Sequence, residues 1–264
     1  MLEAKKLDFY NTTEEIIEFI KKIVKAANVE GVVVGLSGGV DSSVVVTLCV
    51  RALGKARVLG VLMPTAFTPD EDIKDANDLA DWLGIQTKFL NIQPISEIFF
   101  KNLHNDTNDP KQRIHMANIY ARIRMIILYY YANLNNYLVA GTGDRSEDLI
   151  GYFTKYGDGG VDFLPISHLY KTQVRQLAKH LRIPEKIANK PSSPQLYPGH
   201  KATDEIPVGY ETLDPVLVGL FDNKFPPEKV SQLTGVSVDK ISEILHRFNK
   251  SGHKRTYPWM FKEW

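Results

Sequence analysis

The run Val32-Val33-Val34-Gly35-Leu36 is apolar at every position and dominated by β-branched residues, and a glycine turn and a helical pattern follow it at once. A strand that is apolar on both faces needs cover on both faces, as strands have inside a parallel sheet packed between helices. The pairing recurs along the chain. Further strands are expected over Arg57–Met63, Thr87–Ile92 and Tyr137–Ala140. Helices are expected between them, over Asp41–Leu53, Pro69–Leu83, Ile95–Leu103 and Arg113–Asn133. Alternating strands and helices imply crossover connections, hence an α/β fold with an open parallel β-sheet and helices on both faces, a Rossmann-like three-layer arrangement. A helix over Thr12–Asn28 precedes the first strand, with Thr12 and Glu15 as its capping box.

After Gly141 the rhythm changes. A helix is expected over Leu169–Leu181, then a proline-rich loop over Lys190–Tyr210, then helices over Pro215–Phe221, Pro227–Leu233 and Val238–Asn249. Loops of that length inside a compact domain are usually functional. No linker divides the chain, so residues 1–264 read as one domain.

Composition narrows the function classes. Lys and Arg number 32 against 31 Asp and Glu, a net charge of +1, so no global basic field points to nucleic acid. One cysteine, Cys49, excludes an internal disulfide and a CxxC metal knuckle. No apolar run approaches the roughly 18 residues of a membrane span. The first ten residues carry Glu3 and Asp8, unlike a secretion signal, so a cytoplasmic protein is expected.

The chemistry concentrates in Gly35-Leu36-Ser37-Gly38-Gly39-Val40-Asp41-Ser42-Ser43, between the first strand and its helix. Ligands of open parallel sheets bind beyond the carboxyl ends of the strands. The glycines let backbone N–H groups turn toward a ligand, and the helix N-terminus adds partial positive charge, so an anion such as phosphate is stabilised there. Asp41 has the wrong sign for a phosphate unless a divalent cation sits between them. The loop has neither the Gly-Lys-Ser/Thr ending of a Walker A motif nor the G-x-G-x-x-G spacing.

Ser-Gly-Gly-x-Asp-Ser resembles the pyrophosphate loop of the N-type ATP pyrophosphatases, which implies an adenine nucleotide α-hydrolase-like fold and cleavage of ATP to AMP and pyrophosphate. The loop by itself leaves the substrate open, and a GMP-synthetase-like amidating enzyme or a non-catalytic nucleotide sensor shares it. Later segments resemble the NAD synthetases: Asn118-Ile119-Tyr120-Ala121-Arg122-Ile123-Arg124, Gly141-Thr142-Gly143-Asp144-Arg145-Ser146-Glu147, Gly151-Tyr152-Phe153-Thr154-Lys155-Tyr156-Gly157-Asp158-Gly159-Gly160-Val161-Asp162, Leu169-Tyr170-Lys171-Thr172, Lys190-Pro191-Ser192-Ser193 and His253-Lys254-Arg255.

That resemblance implies a set of roles. Gly35, Leu36, Ser37, Gly38, Gly39, Val40, Asp41 and Ser42, with Thr142, Lys171 and Ser192 or its neighbour Ser193, contact ATP. Asp41 and Glu147 hold Mg²⁺. Arg122, Lys155, Asp162, His253 and Lys254 contact deamido-NAD. Asp41, Lys171 and, as a candidate base for ammonium, Asp162 act in catalysis. On the helical wheel Asn118 and Arg122 share a face while Arg124 points elsewhere. Where the family has Asp-Glu-x-x-x-Gly-x-x-Tyr, Asp204–Tyr210 is compressed, and no contacts carry over there.

Ammonia, not glutamine, is the expected nitrogen donor, since Cys49 lies in an apolar helix and no amidase segment is present. Family members are homodimers, and Ile126–Tyr131 offers an apolar contact. The Lys190–Lys201 loop is expected to close over ATP.

Overall fold

The computed structural model describes residues 2–103, 112–192 and 205–256, with 258 and 261. Four parallel strands, β1 (Gly31–Gly35), β2 (Val58–Leu62), β3 (Gln86–Phe89) and β4 (Tyr137–Ala140), lie in the order β3-β2-β1-β4. Val33 is in register with Leu59 on one side and Val139 on the other. The period-2 alternation explains the wholly apolar strands. Val32 and Val34 of β1 enter a core with α1 (Phe9–Ala26), α2 (Val40–Leu53) and α3 (Asp70–Leu83). Val33, with Leu59 and Val61, enters the opposite core with α4 (Gln93–Asn102) and α5 (Arg113–Asn135). Helices therefore cover both faces, as the alternation requires.

The chain leaves β1 toward β2 and returns at β4 on β1's other side. The carboxyl ends of β1 and β4 thus flank a topological switch point, where a crevice opens. After β4 come α6 (Arg145–Ile150), α7 (Lys171–His180) and α8 (Glu185–Ala188), the last not anticipated from the sequence. Then follow α9 (Tyr210–Leu217), α10 (Pro227–Thr234) and α11 (Val238–Lys250). A separate apolar cluster of Ile150, Leu213, Val216, Val230, Ile241 and Ile244 ties α6 to these last helices.

Three expectations need correction. The first helix starts at Phe9, not at a Thr12–Glu15 box: Asp8 caps it, accepting from the N–H groups of Tyr10 and Asn11 at 3.1 and 3.2 Å. Thr12 and Thr13 are buried inside it, and the Thr13 hydroxyl bonds back to the Phe9 carbonyl at 2.6 Å. The third strand, the sheet's exposed edge, ends at Phe89 and not at Ile92, although the Leu90 and Ile92 N–H groups still donate to the Leu62 and Pro64 carbonyls at 2.9 Å. The helix placed at Pro215 begins five residues earlier, at Tyr210, and carries Pro215 inside it before a π-helical turn over Val218–Asp222. Pro215 lacks the N–H that would pair with the Glu211 carbonyl one turn earlier, at an exposed position of the helix. Most of the expected closing loop, and Ser193 with it, lies outside the described residues.

Candidate active site

The segment after β1 is shaped before any ligand arrives. Gly38 adopts φ +75°, and a Cβ there would lie 2.3 Å from the Asp72 carbonyl of α3, so only glycine lets the loop pass this close. The Ser37 and Ser42 hydroxyls bond each other at 3.1 Å, the Gly39 N–H donates to Ser37 Oγ at 3.2 Å, and the Ser43 hydroxyl donates to the Gly39 carbonyl at 2.8 Å. Gly39 caps α2 without a side chain, so the first N–H groups of that helix stay open to a ligand.

These groups wall a cleft of about 500 Å³. Gly35, Leu36, Ser37, Gly39, Val40, Asp41 and Ser42 line one side, joined by Thr142, Glu147, Ser192 and Lys254. The Thr142 position follows from β4: the chain crosses the carboxyl edge of the sheet there, beside the β1 loop. Such a volume suits a nucleotide-sized ligand.

Behind the cleft floor, Lys171 is wholly buried at the start of α7. Its ammonium lies 2.8 Å from Asp41 Oδ2, 2.9 Å from Glu147 Oε1 and 2.9 Å from Asp144 Oδ2. A cation at a helix N-terminus opposes the dipole, and these carboxylates supply the compensation. Three carboxylates against one ammonium leave an excess of two negative charges when all are ionised. Burial raises the pKa values of Asp144 and Glu147, Lys171 pulls them back, and the neighbouring carboxylates add to the rise. The cluster is therefore short of positive charge. Asp41 Oδ1 is buried with no hydrogen-bond partner among the described residues, and Asp41 and Glu147 both face the cleft. Two hard carboxylates with an open oxygen suit Mg²⁺, which takes its remaining ligands from phosphate and water.

Three further residues support the Lys171 cluster, and none was singled out from the sequence. Asp144 caps α6, accepting from the Glu147 N–H at 2.8 Å. Asp214, on α9 and 1% exposed, accepts from the Ser146 hydroxyl at 2.6 Å, the Thr172 N–H at 2.8 Å and the Thr172 hydroxyl at 2.7 Å. Ser146 Oγ in turn accepts from the Lys171 N–H at 2.9 Å. One carboxylate thus clamps the starts of α6 and α7, which carry Glu147 and Lys171. Tyr210 opens α9, and Lys171 Nζ lies 5.2 Å from the centre of its ring. Burial first, then Glu147, pushes its phenol pKa well up.

On α5 the structure reverses the wheel assignment. Asn118 and Arg124 line the cleft, whereas Arg122 is exposed. The cleft-facing positions Ala117, Ala121, Arg124 and Leu128 follow the helical repeat. Arg124 Nε donates to the Met63 carbonyl at 3.2 Å, and burial lowers its pKa to about 10. The Thr154 hydroxyl donates to Asn118 Oδ1 at 2.7 Å.

Arg122, Lys155 and His253 come together outside the cleft. Arg122 donates to the Lys155 carbonyl at 3.3 Å, and Lys155 Nζ to the His253 carbonyl at 2.6 Å. Lys254 Nζ donates to the carbonyls of Gly151 and Phe153 at 2.9 and 2.7 Å. Asp162 does not line the cleft: its carboxylate accepts from the Val139 N–H at 2.7 Å and the Tyr129 hydroxyl at 3.0 Å, fixing the 161–163 segment beside β4.

A parallel α/β sheet with an uncapped helix start and paired carboxylates at its switch point defines a nucleotide-binding α/β protein with a pyrophosphate-type loop. The comparisons carry this further. The NAD synthase family profile matches residues 12–258. An NH₃-dependent NAD⁺ synthetase of Hyperthermus butylicus is 49% identical over 257 residues, 97% of this chain and 92% of that protein. An NH₃-dependent NAD synthetase from Campylobacter jejuni, solved with nitrate, superposes with TM-score 0.81 at 35% identity, covering 97% of this chain and 100% of the other. An NMN synthetase from Francisella tularensis superposes with TM-score 0.84 at 31% identity, covering 97% and 99%. The chain belongs to the NAD synthase family.

Proposed function

We propose that the chain is an ammonia-dependent ligase that amidates deamido-NAD to NAD at the expense of ATP, the last step of NAD biosynthesis, with release of AMP and pyrophosphate. The buried Lys171 bonded to Asp41 and Glu147 beside the open start of α2 is the observation that carries it. The nicotinate carboxylate oxygen attacks the α-phosphorus of ATP. The α–β bridging P–O bond breaks, and pyrophosphate leaves with the electron pair. Ammonia then attacks the acyl carbon of the adenylate, AMP leaves, and one proton is lost as the amide forms.

Two anions must meet in the first step, so charge must be neutralised beforehand. The loop N–H groups, with Thr142 and Ser192, hold the nucleotide. Lys171 keeps Asp41 and Glu147 in place and offsets their charge. Asp41 and Glu147 would hold Mg²⁺, which would supply neutralisation of phosphate charge. Arg122, Lys155 and Lys254 provide a cationic edge for the dinucleotide, with His253 beside them. Asp162, engaged by Val139 and Tyr129, is not assigned the ammonium proton.

On α5, Ile126, Tyr130 and Leu134 are exposed at helical spacing and continue the line from Arg122. An apolar stripe abutting a substrate-contacting residue suits a homodimer whose interface completes the dinucleotide site. No helix among the described residues is long and apolar enough to cross a membrane, and we place the enzyme in the cytoplasm. Burial pushes the Cys49 thiol up to about 12, which disfavours it as a nucleophile, and the ammonia-dependent relatives support ammonia as the nitrogen source.

The deciding assay measures NAD and AMP formed from ATP, Mg²⁺ and deamido-NAD with ammonium or with glutamine. Equal amounts of NAD and AMP with ammonium, and none with glutamine, are expected. Turnover of xanthosine monophosphate in place of deamido-NAD, or glutamine-driven turnover with ammonia excluded, would overturn the assignment.

A further inference from the structure

We propose that Tyr210 is a further catalytic residue, whose hydroxyl donates a hydrogen bond to a phosphate oxygen of bound ATP. The residue is 4% exposed, yet its Oη has no hydrogen-bond partner among the described residues. It lines the cleft beside Asp41 and Glu147. A phenol packed in a core ordinarily finds an acceptor, because a buried hydroxyl left without one is costly. Asp41, Asp144 and Glu147 are close enough to act on the phenol electrostatically, but its hydroxyl bonds to none of them, and Lys171 holds Asp41 Oδ2 and Glu147 Oε1. The hydroxyl is therefore a donor without an acceptor among the described residues, on the wall where the proposed function puts the triphosphate.

Its placement is not incidental to helix packing. Tyr210 stands one turn before Asp214 on α9. Asp214 fastens that helix to the starts of α6 and α7 through Ser146 and Thr172. The clamp that sets Glu147 and Lys171 thus also sets the Tyr210 ring, with Lys171 Nζ 5.2 Å from the ring centre. As the nicotinate oxygen bonds to the α-phosphorus and the α–β bridging bond breaks, negative charge grows on the departing pyrophosphate. A neutral donor aimed at those oxygens strengthens in the transition state and keeps its own proton throughout.

This proposal rests on the cleft being the ATP site, and the experiment separates the two. Tyr210→Phe keeps the ring and removes only the hydroxyl. Its thermal midpoint without ligands is expected to equal or exceed that of the wild type. ATP affinity by calorimetry is expected to change little, while kcat falls by roughly 10- to 100-fold, the worth of one hydrogen bond to a charged group. A kcat within about twofold of wild type, or a loss of activity matched by a fall in thermal midpoint, overturns the role of Tyr210. Asp41→Asn is measured alongside. If Asp41→Asn keeps full ATP turnover, the site reading itself fails. If Asp41→Asn is inactive and Tyr210→Phe is not impaired, only the Tyr210 proposal fails.

Discussion

Asp214 makes no contact with the cleft, yet its removal is expected to disable it. Asp214→Ala strips the acceptor from three donors, the buried Ser146 hydroxyl and the half-buried Thr172 N–H and hydroxyl. Hydrogen bonds to a charged group contribute about 1.5–3 kcal/mol each, but the terms do not add. The carboxylate is itself costly to bury, and burial is the largest cause of its raised pKa. The two hydroxyls can rotate to other acceptors, whereas the backbone N–H cannot. The orphaned N–H costs about 1–3 kcal/mol, and with the hydroxyls and the small void a loss near 3 kcal/mol is expected. For a chain of this size that lowers the thermal midpoint by about 6–12 °C. Asp214→Asn keeps an acceptor for Thr172 but turns an amide donor toward Ser146 Oγ, which already accepts from the Lys171 N–H, so about 1–2 kcal/mol is expected. Urea unfolding followed by circular dichroism checks the order wild type, Asn, Ala. With ATP saturating, kcat should fall in the same order, because Lys171 loses its fixed start of α7. A loss below about 1 kcal/mol for Asp214→Ala would refute the clamp.

Three other expectations follow from separate parts of the molecule. Gly38→Ala must place a side chain at φ +75° and against the Asp72 carbonyl, so it is expected to destabilise by about 1–3 kcal/mol and to abolish ATP turnover, read by urea unfolding and AMP release. Burial works to raise the Asp75 pKa, but the hydrogen bonds from Lys186 and Lys190 outweigh it and the net direction is down. A carboxyl lowered in the folded state stabilises above its unfolded value and loses that contribution as pH falls through the folded value. The stability gap between wild type and Asp75→Asn, measured by urea unfolding at a series of pH values, should therefore be open at neutral pH and close below about pH 4. Replacing both Ile126 and Tyr130 by Glu should give a monomer by light scattering at micromolar concentration, and an unchanged dimer would remove the α5 stripe as the interface.

The frame of the fold is legible in the sequence because its signals are local. Val32, Val33 and Val34 alternate between two cores, so one apolar run reports cover on both faces. The β1 loop is legible for the same reason, since Gly38 and its helix lie within a few residues of each other. Lys171 is a halfway case. Its cost at a helix start is visible in the sequence, but the groups that offset it are Asp41, Asp144 and Glu147, between 24 and 130 positions away, not phosphate alone. Asp144 looks like any helix cap, and Asp214 like any acid in a short helix. What distinguishes them is a partner that only the folded chain supplies: Lys171 for the first, Ser146 and Thr172 for the second. The sequence does not tell which of the two arginines of α5 faces the cleft, because that helix is apolar nearly all round. Its core-facing Ile123 and Ile127 and its exposed Ile126 and Tyr130 leave no polar face from which to orient Arg122 and Arg124. The residues that line the cleft are thus readable where a loop carries them, and the residues that hold that lining in place are not. A clamp such as Asp214 is defined by a distance, and distance along a chain does not report distance in space.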